Sequence, residues 1–179
     1  MRAIVSLLDQ KHYRNLENLW RELEFECGLS GINLTPIPHF TWHLASDYDF
    51  ERLGDKLSEL VQSSKPFTVR TTGLGLFTGD TPVVYIPLVK DEELAAFHHS
   101  IWKRANPTAI EPSAFYAPDA WVPHISVARG DVNRNKLSCA VQRLAFQTFN
   151  WEVAVDHLAL VYQYSGQVGE IQAKFPFSG

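Results

Sequence analysis

Pro38-His39-Phe40-Thr41-Trp42 and Pro123-His124-Ile125-Ser126-Val127 are one pattern written twice. Each copy runs proline, histidine, a large apolar residue, a hydroxyl residue and a second large apolar residue. Strict alternation predicts a short strand with two unlike faces. One face carries the imidazole and the hydroxyl, His39 with Thr41 and His124 with Ser126. The other sends Phe40 and Trp42, or Ile125 and Val127, into a core. A single His-x-Ser/Thr in a chain with seven histidines means little. Two, each after a proline and at matching points of two halves, point to a site.

Working outward, the surroundings repeat too. Arg2 to Leu8 suits a strand, and Asp9 an N-cap for a helix with Tyr13, Leu16, Trp20, Leu23 and Cys27 on one side, closed by Gly28. After the first motif, Asp49 caps a helix with Phe50, Leu53, Leu57, Leu60 and Val61 inward. Phe67 to Phe77 alternates like a strand, and Val83 to Val89 returns after a turn. Then the order recurs. Asp91 caps a helix with Leu94, Phe97, Ile101 and Ala105 on one side, and a long loop from Asn106 to Val122 leads to the second motif. Asp131 is expected to cap a helix with Leu137, Val141 and Leu144 inward. Trp151 to Val161 and Ile171 to Phe177 read as a closing hairpin. The motif histidines stand 85 positions apart, and Phe67, Val69, Leu74 and Leu76 fall opposite Trp151, Val153, Leu158 and Leu160 at an offset of 84. Such self-similarity is a fold-level signal. It predicts an α+β protein, a bilobal duplicated fold of two antiparallel-sheet lobes with flanking helices. Residues 1–179 form one domain, with internal repeats at approximately 1–82 and 83–179, and the motif strands face each other across a central cleft.

Composition sets the bounds. At 179 residues the chain buries a sizeable core without a staple. Cys27 and Cys139 lie far apart with no ligand-like spacing, and read as reduced thiols of a cytoplasmic protein. No basic segment followed by an apolar run opens the chain, and no apolar run reaches membrane-spanning length, so neither a signal peptide nor a membrane partner is expected. Asn33-Leu34-Thr35 then matches a glycosylation acceptor idly. The net charge of −4 argues against general salt-driven binding to long nucleic acid, but not against one phosphate held in a pocket. A monomer is favoured.

Cleaving a phosphodiester without a metal needs one group to take a proton from the attacking oxygen and another to protonate the leaving one. Histidine suits both roles, since its pKa lies near working pH. Hydroxyls two residues along can donate to the non-bridging oxygens, where charge grows in the transition state.

The doubled His-x-Ser/Thr-x pattern with its hydrophobic flanks resembles the two-histidine (2H) phosphoesterase superfamily, which includes 2′-5′ RNA ligases and cyclic phosphodiesterases. The segments Phe97-His98-His99-Ser100-Ile101-Trp102 and Trp121-Val122-Pro123-His124-Ile125-Ser126 are most similar to the 2′-5′ RNA ligase branch. The resemblance implies His39 and His124 as the catalytic pair and Thr41 and Ser126 as phosphate-binding hydroxyls. It also implies Arg129, five residues after His124, as a phosphate contact. Strict alternation puts Arg129 on the wrong face, so that role requires the strand to end or bulge there. The first motif has Leu44 at this position. The activity implied is a metal-independent phosphoesterase, or reversible 2′-5′ ligase, acting on 2′,3′-cyclic or 2′-5′ phosphodiesters of RNA ends or nucleotides. No cofactor and no metal are expected. A binding module without turnover, or a plain structural domain, are the competing readings.

Other features also have ordinary structural readings. His43 continues the His39–Thr41 face, where it touches a ligand, tunes His39 or closes the strand. With His39 it also forms the one conceivable metal pair, unsupported by HExxH or a Cys/His cluster. His98 and His99 share a helix, one packed and one solvated; His12 is assigned to the surface and His157 to structure. Gly73-Leu74-Gly75-Leu76-Phe77 fits no phosphate-loop spacing and reads as small residues for close packing or room beside a ligand. No nucleotide-binding loop occurs elsewhere, which disfavours ATP-driven ligation. Tyr116, Tyr85 and Trp121 are candidates to stack on a base.

Overall fold

The computed structural model describes residues 1–163 and 168–179. Among the described residues, ten strands and four α-helices follow in the order β1 (Arg2–Leu7), α1 (Gln10–Cys27), β2 (His39–Tyr48), α2 (Phe50–Gln62), β3 (Phe67–Arg70), β4 (Gly75–Phe77), β5 (Val83–Pro87), α3 (Glu92–Ala105), β6 (Ala109–Pro112), β7 (His124–Ala128), α4 (Arg134–Leu144), β8 (Glu152–Val155), β9 (His157–Tyr162) and β10 (Glu170–Pro176). All strand pairings among the described residues are antiparallel. One sheet is ordered β10-β9-β1-β2-β6, a second β4-β5-β7, and β3 pairs with β8 as a two-stranded ribbon.

Within this α+β architecture the two sheets repeat one order. β9-β1-β2 matches β4-β5-β7, with a motif strand, β2 or β7, at the same place in each. The halves are interlaced. β4, from the first half of the sequence, completes the second sheet, and β9, from the second half, completes the first. The helices cross as well: α1 packs behind β7, and α3 behind β2. In the ribbon Val69 pairs with Val153, the offset of 84 read from the sequence, so equivalent strands meet each other.

Local chemistry explains most boundaries. Asp9 caps α1 through the amides of Lys11 and His12, and Gly28 closes it at φ 66°, a left-handed value that costs glycine little. Asp49 and Asp91 cap α2 and α3. The core is continuous through the molecule and includes Phe40, Trp42, Leu53, Leu57, Ile86, Ile101, Ile125 and Leu158, all buried.

Several expectations are corrected. Phe67–Phe77 is two strands in different sheets, broken near Gly73, which sits at φ 59°. The segment 106–122 contains β6, which pairs with the far end of β2. The cap of α4 is Asn133; Asp131 instead accepts from the amides of Ser30 and Gly31 and from Lys136 Nζ. The closing segment splits, β8 joining the ribbon and β9 pairing with β10. Phe50 and Val141 are exposed, while His12 is buried and bonded to Asp9 at 2.7 Å. Cys27 and Cys139 form a disulfide linking α1 to α4, not a pair of reduced thiols. The expectation of a reducing cytoplasm loses that support. Among the described residues, no helix is long and apolar enough to cross a membrane.

Candidate active site

The two motif strands meet at a cleft of about 130 Å³ lined by His39, Thr41, His124, Ser126, Arg129 and Tyr116, among others. Each imidazole is anchored alike. His39 Nδ1 bonds the carbonyl of Ile37, and His124 Nδ1 bonds that of Val122 at 2.7 Å. A carbonyl only accepts, so Nδ1 carries the proton in both rings and Nε2 is the free base. The doubled apolar-Pro-His triplet is the sequence basis of this anchor, because the acceptor is the residue before the proline in both copies.

A bulge in each motif strand decides what else reaches the cleft. Ile4 pairs with His43 and Val5 with Thr41, leaving Trp42 unmatched. Val84 pairs with Ala128 and Tyr85 with Ser126, leaving Val127 unmatched. The extra residue falls directly after the hydroxyl in both, and it inverts the alternation beyond that point. Leu44 and Arg129, both five residues after the motif histidine, therefore come round to the cleft. His43 is turned away. It lies fully buried, bonded through Nδ1 to the Tyr48 hydroxyl at 2.7 Å and packed on Trp102. The expected ligand contact of His43, and a metal pair with His39, are both ruled out by that placement.

The strand ends after Ala128, and Arg129 Nη2 then donates to Thr35 Oγ1 at 2.7 Å. The Gly31 turn braces this corner. A Cβ on Gly31 would lie 2.1 Å from the Arg129 carbonyl oxygen, so only glycine lets the two segments close up. Nothing in the sequence marked Thr35 as the partner of Arg129.

Electrostatics differ between the imidazoles. Burial holds His39 down to about 4, and nearby Arg129 and His124 act the same way, opposed by the bond to Ile37. Burial also lowers His124, opposed by the bond to Val122. His124 meets Phe77 edge-on at 4.9 Å and Tyr85 at 5.2 Å. Tyr85 in turn covers Gly75, where a Cβ would sit 2.3 Å from its ring. Gly75 thus serves close packing, and Tyr85 supports His124 without lining the cleft. Tyr116 lines the cleft and is hydrogen-bonded to Thr41; burial raises its phenol, which that bond and Arg129 oppose.

Trp121 is buried rather than available for stacking on a base. Its Nε1 donates to the Thr41 carbonyl at 3.0 Å, and its indole stacks on His98 at 3.8 Å. His98 is buried, with Nε2 at 3.1 Å from the Trp42 carbonyl, whereas His99 is exposed. Trp20 of α1 donates to the Ser126 carbonyl at 3.3 Å. Each motif strand is thus held from behind by an indole bonded to the carbonyl of its hydroxyl residue. Among the described residues, no group of three or more His, Cys, Asp or Glu side chains is arranged to hold a metal ion.

Known proteins resemble the chain over most of its length. The family model described as the 2′-5′ RNA ligase superfamily matches residues 13–167. The chain is 24% identical over 142 residues to “Putative phosphoesterase OB1230” of Oceanobacillus iheyensis, covering 77% of this chain and 78% of that protein. TT0787 of Thermus thermophilus has a similar fold, with a TM-score of 0.72 at 19% identity, covering 99% of this chain and 98% of that one. LigT of E. coli, solved with 3′-AMP, gives 0.61 at 15% identity over 99% and 98% of the two chains.

Proposed function

The chain belongs to the 2′-5′ RNA ligase superfamily, and from that premise we propose that it is a metal-independent phosphoesterase acting on 2′,3′-cyclic or 2′-5′ phosphodiesters of RNA ends or nucleotides. The observation that carries this reading is the pair of imidazoles on one cleft, each with Nδ1 tied to a backbone carbonyl and Nε2 left free. The phosphoesterase name of the Oceanobacillus relative and the 3′-AMP bound by LigT support it.

In hydrolysis one Nε2 takes a proton from water as the oxygen attacks phosphorus. The other imidazole, protonated, gives its Nε2 proton to the ribose oxygen as the P–O bond breaks. One proton is taken and one given, so the pair ends with its roles exchanged and re-equilibrates with solvent. Thr41, Ser126 and Arg129 donate to the non-bridging oxygens, where charge builds. Ligation to a 2′-5′ linkage is the same displacement with a ribose 5′-hydroxyl attacking the 2′,3′-cyclic phosphate in place of water, the bond from phosphorus to the 3′ oxygen breaking as that oxygen takes the proton. The small cleft volume seats a phosphate group, leaving the organic part of the substrate at its mouth.

The second reading, a nucleotide-binding module without turnover, draws on the lowered pKa of both histidines. His39, held down to about 4, is neutral at neutral pH, and burial disfavours the protonated form of His124 as well, so the site is short of an acid until a bound phosphate anion raises one of them. Hydrolysis of 2′,3′-cyclic nucleotides in EDTA separates the two. Turnover lost in the His39→Ala, His124→Ala double variant is the expected outcome. Full activity in that variant refutes the mechanism, and binding without product in the wild type selects the module.

A further inference from the structure

Away from the cleft, a groove of about 280 Å³ lies between α2 and α3, lined by Arg52, Lys56, Lys103, Arg104, Pro107 and Thr108. Four of these six residues are cations and none is acidic, on a chain whose net charge is −4. Folding accounts for part of this only. Lys103 and Arg104 occupy the last turn of α3, where positive charge complements the helix dipole. Arg52 is in the first turn of α2, where the dipole disfavours a cation. Lys56 stands one turn further along the same face, a like-charge i,i+4 spacing that weakens a helix. Their ion pairs, Arg52 with Asp49 at 3.9 Å and Lys56 with Glu59 at 3.1 Å, are exposed and of small worth. Arg104 Nη1 donates to the Ser100 carbonyl at 3.1 Å. Fold stability gives no reason to bring these four charges together.

We propose that this groove binds the phosphodiester backbone of an RNA strand whose end occupies the cleft; the second half of that statement rests on the function proposed above. β2 connects the two places, with His39 at one end and Tyr48, the residue before the α2 cap, at the other. Its ten residues rise about 3.3 Å each, or roughly 30 Å in all. A stacked strand advancing about 3.4 Å per nucleotide covers that in roughly nine nucleotides. A mononucleotide or trinucleotide bound at the cleft falls short of the groove, and a strand of a dozen nucleotides reaches it. Because the whole molecule is acidic, this attraction is local and steeply dependent on salt.

The test is fluorescence anisotropy of labelled oligouridylates, three and twelve nucleotides long, titrated across a salt series. The proteins compared are the wild type, a variant with Arg52, Lys56, Lys103 and Arg104 all changed to Gln, and the milder pair Arg52→Gln, Lys103→Gln. The wild type is expected to bind the longer strand more tightly at low salt. The slope of log K against log salt should fall by about 0.7 for each phosphate contact removed, so by up to ~2.8 in the fourfold variant and ~1.4 in the pair. Binding of the trinucleotide and hydrolysis of a 2′,3′-cyclic mononucleotide should stay unchanged. Equal affinity for both lengths in the wild type, or unchanged slopes in the folded variants, overturns the groove. Length-dependent binding lost in the variants, in a protein that hydrolyses no cyclic nucleotide, upholds the groove and counts against the cleft reading instead.

Discussion

Lowering the pH from 7 to 5 should cost this protein several kcal/mol of stability, chiefly through histidines that never touch substrate. His43 and His98 are buried at 0% and 1% exposure, and burial holds each down to about 4 from an ordinary 6.5. The unfolded chain therefore binds protons in a range where the folded one does not. Stability is fully present above pH 6.5 and is lost as pH falls from there toward 4. Between those limits each ring contributes a slope of about 1.4 kcal/mol per pH unit. Integrated from pH 7 to 5, that is roughly 2 kcal/mol per ring and ~4 kcal/mol for both, to which His39, also held to about 4, adds a similar amount, together a large part of the ~5–15 kcal/mol that holds a domain folded. Asp9 and Asp131, whose pKa values are lowered, destabilise only on further acidification, which makes pH 5 a suitable lower limit. The assay is urea unfolding at pH 7, 6, 5.5 and 5 on the wild type, His43→Gln and His98→Gln. Each variant starts less stable, because a hydrogen bond is lost, but its decline to pH 5 should be shallower by about 2 kcal/mol. A wild-type decline under about 1 kcal/mol, or the same decline in all three proteins, refutes the reasoning.

Three further outcomes follow from the site and the frame. Since burial lowers both motif histidines, the bell-shaped pH profile of kcat/KM should centre below 6.5, the ordinary histidine pKa. That of kcat should lie at higher pH, because bound phosphate pushes both rings up; coincident profiles would contradict this. Arg129→Ala should lower kcat/KM for a cyclic nucleotide by roughly 10²- to 10³-fold, as for other lost transition-state donors, with partial recovery in Arg129→Lys. The Cys27–Cys139 disulfide spans 112 positions of sequence, and closing so long a loop is worth about 5 kcal/mol in the chain-entropy account. Reduction, or Cys139→Ala, should lower Tm by several degrees, and an unchanged Tm would show that the bond is not made.

The sequence displayed the frame more fully than the corners. The two His-x-hydroxyl strands, the caps Asp9, Asp49 and Asp91, and the offset of 84 could all be read because each rests on local periodicity or on repetition. His43 could not be read, because a bulge is a property of a strand pair. Nothing in His39–Leu44 alone shows that Trp42 will find no partner on β1. The same kind of bulge brings Arg129 to the cleft, where alternation had put it on the far face. The disulfide was missed for a similar reason: only the packing of α1 against α4 brings two distant cysteines to a Cα separation of 5.7 Å. β6 was hidden inside a loop because four residues containing a proline carry no usable period.

The duplication fixes positions and leaves chemistry free to diverge, and the position after each bulge shows how. Arg129 and Leu44 occupy equivalent places on opposite sides of the cleft. Arg129 adds a cation beside the hydroxyls, while Leu44 pairs with Ala3, which pairs in turn with Val161, an apolar shelf on the first sheet. A phosphodiester carries one negative charge, which a single arginine matches. A second arginine in place of Leu44 would lower both imidazoles further through its own field, as Arg129 already does to His39, and so deepen the shortage of a protonated acid. Under the proposed function, a two-fold frame with one polar and one apolar shoulder would give the substrate a single orientation, phosphate toward Arg129 and organic body toward Leu44. In the proposed mechanism, two histidines that start as structural equivalents would then act on different oxygens.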